Sequence, residues 1–171
     1  MSIFGMHRQT GKGPYRLQTA LWKGALAVAD GDLVYKDASD HYDKSAAQYT
    51  WDTNLATTQA SFKDVFRGVS TVRRTTVQTS DGTQATDGGI YASGEFTFPC
   101  AALGSAAYVA HNNYVTIAQG SGSNLDPAKV VLTTDVTLAI GKLTKDAASG
   151  ATEVTFELMP ATFTGAPQTN A

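Results

Sequence analysis

The chain has 171 residues, of which 42% are hydrophobic and 16% charged, and its formal net charge is −2. This length suits one domain with a sizeable core, and the low charged fraction excludes a disordered polyelectrolyte. The slightly negative charge argues against a protein that coats nucleic acid, so we expect no nucleic-acid partner.

Residue usage indicates the fold class. Threonine is abundant at 23 residues, glycine at 16 and aspartate at 12, whereas glutamate occurs only 3 times. Threonine favours strands because its branched Cβ packs well on a pleated surface, and glycine and aspartate favour turns. The composition therefore predicts a mainly β protein.

Residues 1–21 are predicted to form an extended N-terminal arm, because they contain several glycines and show no sustained helical or strand period. Residues 1–24 carry a net charge of +4, whereas residues 25–64 carry −4. A basic segment with apolar and aromatic anchors is typical of a partner-binding arm. An alternative is that the arm folds back on the acidic body of its own or a sister subunit.

The candidate partner-binding residues lie in this arm, at the start of the body and in one later basic pair. That pair could instead be solvated charges at a strand edge. The candidates are Phe4, Met6, Arg8, Lys12, Tyr15, Arg16, Leu17, Trp22, Arg73 and Arg74.

The body is predicted to span residues 22–165, followed by a flexible tail at 166–171. Asp30-Gly31 indicates a turn before a strand at Leu33-Val34-Tyr35. Residues 37–61 are predicted to be an insertion that begins as a polar loop. Its later part, Lys44 to Ala60, could hold a short helix.

The second half of the chain shows the period-2 alternation of half-buried strands. Strands are predicted at Val65–Val72, Ile90–Phe98, Tyr114–Ile117, Val136–Ile140 and Val154–Leu158. Turns are predicted at Asp81-Gly82, Asp87-Gly88-Gly89 and His111-Asn112-Asn113, and one helical turn at Asp126-Pro127.

Together these elements predict a single antiparallel β-barrel. The predicted core consists of Val69, Phe96, Phe98, Val115, Ile117, Val136, Leu138, Ile140, Val154, Phe156 and Leu158.

Motifs for catalysis or metal binding are weak throughout. Gly5 to Lys12 lacks the spacing of a phosphate-binding loop, and no G-x-S-x-G occurs. The histidines have no metal-ligand spacing, and the aspartates of residues 37–43 do not fit a calcium loop. The single cysteine, Cys100, excludes an intrachain disulfide and fits a reducing compartment. We expect no enzyme activity, no cofactor and no metal.

Neither a signal peptide nor a membrane span is expected, because no apolar run approaches about 18 residues. Membranes are therefore not among the expected partners.

Five segments of the second half resemble, in order and spacing, the phage capsid cement or head decoration proteins, which are built on a small β-barrel called a β-tulip. The similarity covers residues 64–160, and Gly31–Val34 could match the family's first strand. The five segments are Phe66–Val69, Gly94–Pro99, Gly104–Val109, Ile140–Lys142, and Glu153–Leu158 with Pro160.

The resemblance implies a structural virion protein that is made in the host cytoplasm and binds the outer surface of the phage head. It would bridge neighbouring major capsid subunits and stabilise the shell. Capsid lattices offer threefold positions, so we expect a homotrimer, with a dimer as the alternative. A truncation that removes residues 1–20 is expected to leave the barrel folded but weaken capsid binding.

Two other classes remain open at the sequence level. A phage tail or fibre component would also be an oligomeric β protein. A jelly-roll hydrolase would need histidines and carboxylates that converge in a cleft.

Overall fold

The computed structural model describes residues 8–9, 15–23, 26–71, 89–104 and 108–160. Most of the secondary structure is β, which confirms the predicted class. One α-helix, α1, spans Leu55–Val65, and single 3₁₀ turns span Ala46–Gln48 and Val136–Leu138. The strands are β1 Arg8–Gln9, β2 Arg16–Thr19, β3 Leu33–Lys36, β4 Asp43–Ser45, β5 Phe66–Ser70, β6 Gly89–Ser93, β7 Glu95–Pro99, β8 Tyr114–Gln119, β9 Leu125–Thr133, β10 Gly141–Leu143 and β11 Glu153–Leu158.

The strands form two antiparallel sheets, a six-stranded one in the order β1-β7-β11-β10-β8-β9 and a five-stranded one in the order β2-β6-β5-β3-β4. Within the described ranges no closed barrel is found, so the predicted single barrel is not confirmed. In each sheet, one isolated parallel β-bridge joins residues near two strands that are not neighbours in the strand order. Cys100, just beyond β7, bridges to Val130 in β9, and Trp22, beyond β2, bridges to Asp43 in β4.

Both sheets contribute to one main core. Phe66 and Val69 enter it from the five-stranded sheet, and Phe96 and Phe156 from the six-stranded sheet. Helix α1 adds Phe62, which is fully buried. The side chain of Asn54 caps the helix by accepting a hydrogen bond from the Thr57 N–H at 3.0 Å.

A second, smaller core covers the other face of the five-stranded sheet. Val34 packs there with Ala20, Trp22, Val28 and Ile90. Its chain neighbours Leu33 and Tyr35 point into the main core. Because β3 is buried on both faces, it shows a continuous apolar run rather than alternation.

The predicted insertion at residues 37–61 is ordered structure. It contains β4, a 3₁₀ turn and the first half of α1. The helix begins at Leu55, within the predicted range, and continues beyond it to Val65. It is fixed to the six-stranded sheet by Gln59, whose amide donates to the Ile117 carbonyl at 2.6 Å.

The strand predicted at Val136–Ile140 is wrong. Asp135 accepts a hydrogen bond from the Thr137 N–H at 2.8 Å and bends the chain into a 3₁₀ turn. Val136 is 50% exposed and Leu138 only partly buried, so neither is a core residue. The other nine predicted core residues are buried: Val69, Phe96, Phe98, Val115, Ile117, Ile140, Val154, Phe156 and Leu158.

The helical turn predicted at Asp126-Pro127 is also wrong, because both residues belong to β9. The β8–β9 register jumps at this point: Ile117 pairs with Val130, but the next residue, Ala118, pairs with Asp126. Proline is tolerated in a strand at such an irregularity, since it has no N–H to donate to the ladder. The Asp-Pro pair was interpreted as a helix cap, but in the structure it marks a bulge in β9.

Turns at Asp30-Gly31 and around His111 are confirmed, with φ of 89° at Gly31 and 64° at His111. The turn predicted at Asp81-Gly82, most of that at residues 87–89, and the tail at residues 166–171 lie outside the described residues.

The strand predicted at Ile90–Phe98 is two strands that meet at Gly94. Gly94 has φ of +122°, and there the chain passes from β6 in one sheet to β7 in the other. The ring of Tyr15 covers its bare backbone, so that a Cβ added at Gly94 would lie 2.1 Å from Tyr15 Cδ1. Only glycine satisfies both the backbone angle and the close ring contact.

We predict that Gly94→Ala lowers the free energy of unfolding by about 2–4 kcal/mol, because it combines backbone strain with overpacking. Gly122→Ala is the matched control, since Gly122 also has positive φ, +62°, but nothing lies within 4 Å of an added Cβ. Gly122→Ala should lower the free energy of unfolding by about 1 kcal/mol. Urea unfolding of both variants gives the comparison, and equal losses would contradict this account of the Gly94 contact.

Candidate interaction surface

The N-terminal segment lies along the β6–β7 ribbon and supplies an edge strand to each sheet. Arg8 in β1 pairs with Thr97 in β7, and Leu17 in β2 pairs with Tyr91 in β6. This arrangement is the fold-back alternative of the sequence analysis. The described parts of the predicted arm are thus β strands of the body rather than a separate element.

Tyr15 holds this segment at the joint between the sheets. Its hydroxyl donates to the Glu95 carbonyl at 3.3 Å. Its ring makes edge contacts with Tyr91 at 5.9 Å and with Phe96 at 5.7 Å between centroids. The side chain of Tyr15 therefore makes most of its contacts within its own chain.

The next two residues face outward. Arg16 is exposed, and its backbone N–H donates to Ser93 Oγ at 2.9 Å. Leu17 is 61% exposed, although it lies against the bare backbone of Gly89. An apolar side chain held in place on an edge strand beside a guanidinium is a surface suited to a protein partner.

Trp22 is not a surface contact, which corrects its place among the candidates. It is fully buried in the second core. Two hydrogen bonds at the preceding residue fix it there. The Leu21 N–H donates to Asp43 Oδ2 at 2.8 Å, and the Asp43 N–H donates to the Leu21 carbonyl at 2.7 Å.

Of the remaining candidates, only the backbone of Arg8 is described. The others lie outside the described residues and stay predictions: Phe4, Met6, Lys12, Arg73 and Arg74.

We predict that Trp22→Ala lowers the free energy of unfolding by about 3–5 kcal/mol, because it empties the second core. Leu17→Ala should change it by no more than about 0.5 kcal/mol, since Leu17 is mostly exposed. Urea denaturation of the two variants distinguishes a packing role from a surface role. A stable Trp22→Ala protein would show that this tryptophan is not part of the core.

Sequence reasoning did not foresee a chain of ion pairs that fixes the β3–β4 hairpin. Lys44 Nζ lies 2.6 Å from Asp37 Oδ2 and 2.9 Å from Asp40 Oδ2, and Lys23 Nζ lies 2.5 Å from Asp40 Oδ2. The i,i+4 spacing of Asp40 and Lys44 was the available signal, but it is usually read on helices.

These contacts shift the pKa values of the hairpin carboxylates. Hydrogen bonds from Lys44 and Ser39 hold the pKa of Asp37 well below its usual range. Burial alone would raise the pKa of Asp40, but hydrogen bonds from Lys23 and Lys44 outweigh it and lower that pKa to about 2.

Asp43, on the next strand, shows the opposite shift. Burial raises its pKa, and the Arg67 Nε, 3.6 Å from Oδ1, is too far for a hydrogen bond. Its role is structural, because it clamps the chain segment that leads into Trp22.

The two shifts predict pH effects of opposite sign. A lowered pKa means that Asp40 stabilises the fold above about pH 4 and loses this contribution as the pH falls towards 2. The urea midpoint of Asp40→Asn should therefore lie below that of the wild type at pH 7 and converge with it in acid. Asp43 should behave in the opposite way, because burial disfavours its charged form. As the pH falls, the urea midpoint of the wild type should rise relative to that of Asp43→Asn. Parallel pH profiles for all three proteins would contradict both assignments.

Three structural findings bear on other functions. Burial raises the pKa of the Cys100 thiol, which makes it a poor nucleophile at neutral pH. In the part of the chain that the structure describes, no three His, Cys, Asp or Glu side chains converge as metal ligands, and no helix has the length and hydropathy needed to cross a bilayer.

Neither the protein-family models nor the curated protein sequences gave a match to this chain.

Proposed function

We propose that this chain is a structural virion protein, a capsid cement or decoration protein, that binds the outer surface of a phage head. It bridges neighbouring major capsid subunits and has no enzymatic role. The observation that carries the proposal is the exposed edge strand β2, where Leu17 is 61% exposed next to exposed Arg16.

The exposure of Leu17 stands out against a well-buried body. The described large hydrophobic residues with comparable exposure are Val109 and Val136, at 49% and 50%. Both lie in or beside turns, whereas Leu17 lies on β2, the outermost strand of the described five-stranded sheet. A strand edge with an apolar anchor and a cation can pair with an extended segment of a shell subunit.

The resemblance of five sequence segments to the decoration family supports the same proposal. We propose that the two sheets, each spanned by one isolated bridge, are a form of the small β-tulip-like barrel. The bridges between Cys100 and Val130 and between Trp22 and Asp43 lie where a closed sheet would pair. The resemblance also supports a homotrimer, because three copies around a threefold axis multiply the weak contacts that each copy makes.

Leu17→Asp tests the proposal in a co-sedimentation assay with undecorated capsids. An anchor that becomes buried contributes about 2 kcal/mol, so we predict that the substitution weakens binding by about 30-fold. Val109→Asp is the matched control, because it places the same charge at a different exposed apolar residue, away from β2. Circular dichroism and urea midpoints should match the wild type for both variants.

Unchanged capsid binding by Leu17→Asp would overturn the role of β2, and no binding by the wild type would overturn the proposed function. Deletion of residues 1–20 is a poorer test than the sequence suggested, since it removes both edge strands and buried Ala20. The deletion should lower stability as well as affinity.

A further inference from the structure

A small open pocket lies beside the β3–β4 hairpin, away from β2. Its volume is about 240 Å³. Cofactor and drug-sized sites usually need about 300–1,000 Å³, so this pocket is the size of a single side chain. Its principal walls are Tyr35, Lys36, Asp37, Ser39, Tyr49 and Val65.

The aromatic wall is held rigidly. The ring of Tyr49 stands edge-on to Tyr35 at 4.9 Å and to Phe62 at 5.2 Å between centroids. The Tyr35 hydroxyl donates to the Gln48 carbonyl at 3.1 Å, which fixes its ring as well. Because the rings cannot turn away, the pocket keeps an aromatic surface without a ligand.

The polar wall is equally fixed. Asp37 Oδ1 accepts a hydrogen bond from the Ser39 N–H at 2.8 Å, and Oδ2 contacts Lys44 Nζ at 2.6 Å. The Ser39 hydroxyl also donates to Oδ1. These bonds occupy three of about four acceptor positions of a carboxylate, which leaves room for one further donor.

The charge around the pocket is negative. Lys23, Lys44, Asp37 and Asp40 form one neutral ion-pair chain. Outside this chain of ion pairs, the negative charges of Asp52 and Asp64 interact with Tyr49. Lys36 in the pocket wall contributes one positive charge. Burial and, after it, the negative charges of Asp64, Asp52 and Asp37 raise the pKa of Tyr49.

We infer that this pocket binds an arginine side chain of a partner protein. A guanidinium can stack on the Tyr49 ring and donate to Asp37, and it matches the negative charge of the surroundings. The inference rests on the proposed function for one point only, that the arginine belongs to a capsid subunit. Arginine is favoured over lysine because its planar guanidinium can stack on the Tyr49 ring and donate a hydrogen bond to Asp37 at the same time.

The experiment is a titration of ¹⁵N-labelled protein with N-acetyl-arginine methylamide, followed by NMR. N-acetyl-citrulline methylamide is the control ligand, because it has nearly the same shape without the charge. We expect the amides of Ser39, Tyr49 and Thr50 to shift with a Kd of about 1–10 mM, as suits one side chain. Citrulline should bind at least about fivefold more weakly.

Three variants sharpen the test. Asp37→Asn should weaken arginine binding at least about fivefold. Asp135→Asn is its matched control, since Asp135 makes the same local bonds to Thr137, at 2.8 Å to N and 2.6 Å to Oγ1, outside the pocket. Lys36→Gln should tighten binding about twofold or more, an effect that partial unfolding cannot imitate.

Equal shifts with citrulline, no saturation below about 100 mM, or perturbed amides confined to regions away from residues 35–50 and Val65 would overturn the inference. The titration uses no capsids, so its failure is independent of the co-sedimentation result. If the arginine ligand binds but fails to compete with capsids, the pocket stands and its assignment to a capsid subunit is wrong.

Discussion

The whole architecture depends on the turn that the β6–β7 ribbon makes at Gly94. There the chain leaves one sheet and enters the other without a loop, which requires the φ of +122° that glycine alone tolerates. The N-terminal segment follows both halves of this ribbon, so that it pairs with two sheets in succession. Tyr15 fills the space that the missing side chain leaves. One glycine and one aromatic ring thus join the sheets and position the exposed edge at Leu17.

The five-stranded sheet has a further constraint, because its strand β3 is buried on both faces. The segment that carries Ala20, Trp22 and Val28 covers the face opposite the main core. Asp43 ties this segment down with its backbone and its carboxylate together. A buried carboxylate is costly unless it is hydrogen-bonded, and here the Leu21 N–H satisfies one of its oxygens.

The sequence predicted what depends on local pattern. Alternation located β8 and β11, and the Asp30-Gly31 turn located the start of β3. The sequence pattern was misleading where the same residues are compatible with two different secondary structures. Five alternating residues from Val136 to Ile140 suit a strand, but the Asp135 carboxylate accepts hydrogen bonds from the Thr137 N–H and hydroxyl and produces a turn instead.

The candidate surface was only partly predictable, because burial of a side chain depends on distant segments. Leu17 was identified from the arm and is exposed. Trp22 belonged to the same apolar and aromatic set, yet it is buried by Val34 and Ile90, which lie far away in the chain. The pocket beside Tyr49 also joins separate segments, so no local motif could have indicated it.

The bridge between Cys100 and Val130 provides the chain with a built-in reporter. Cys100 is the single cysteine of the sequence, and only 7% of it is exposed. It lies where the end of β7 contacts the outer strand β9. Modification by a thiol reagent therefore requires the structure around Cys100 to open locally. The rate of labelling follows that local opening, with no engineered probe.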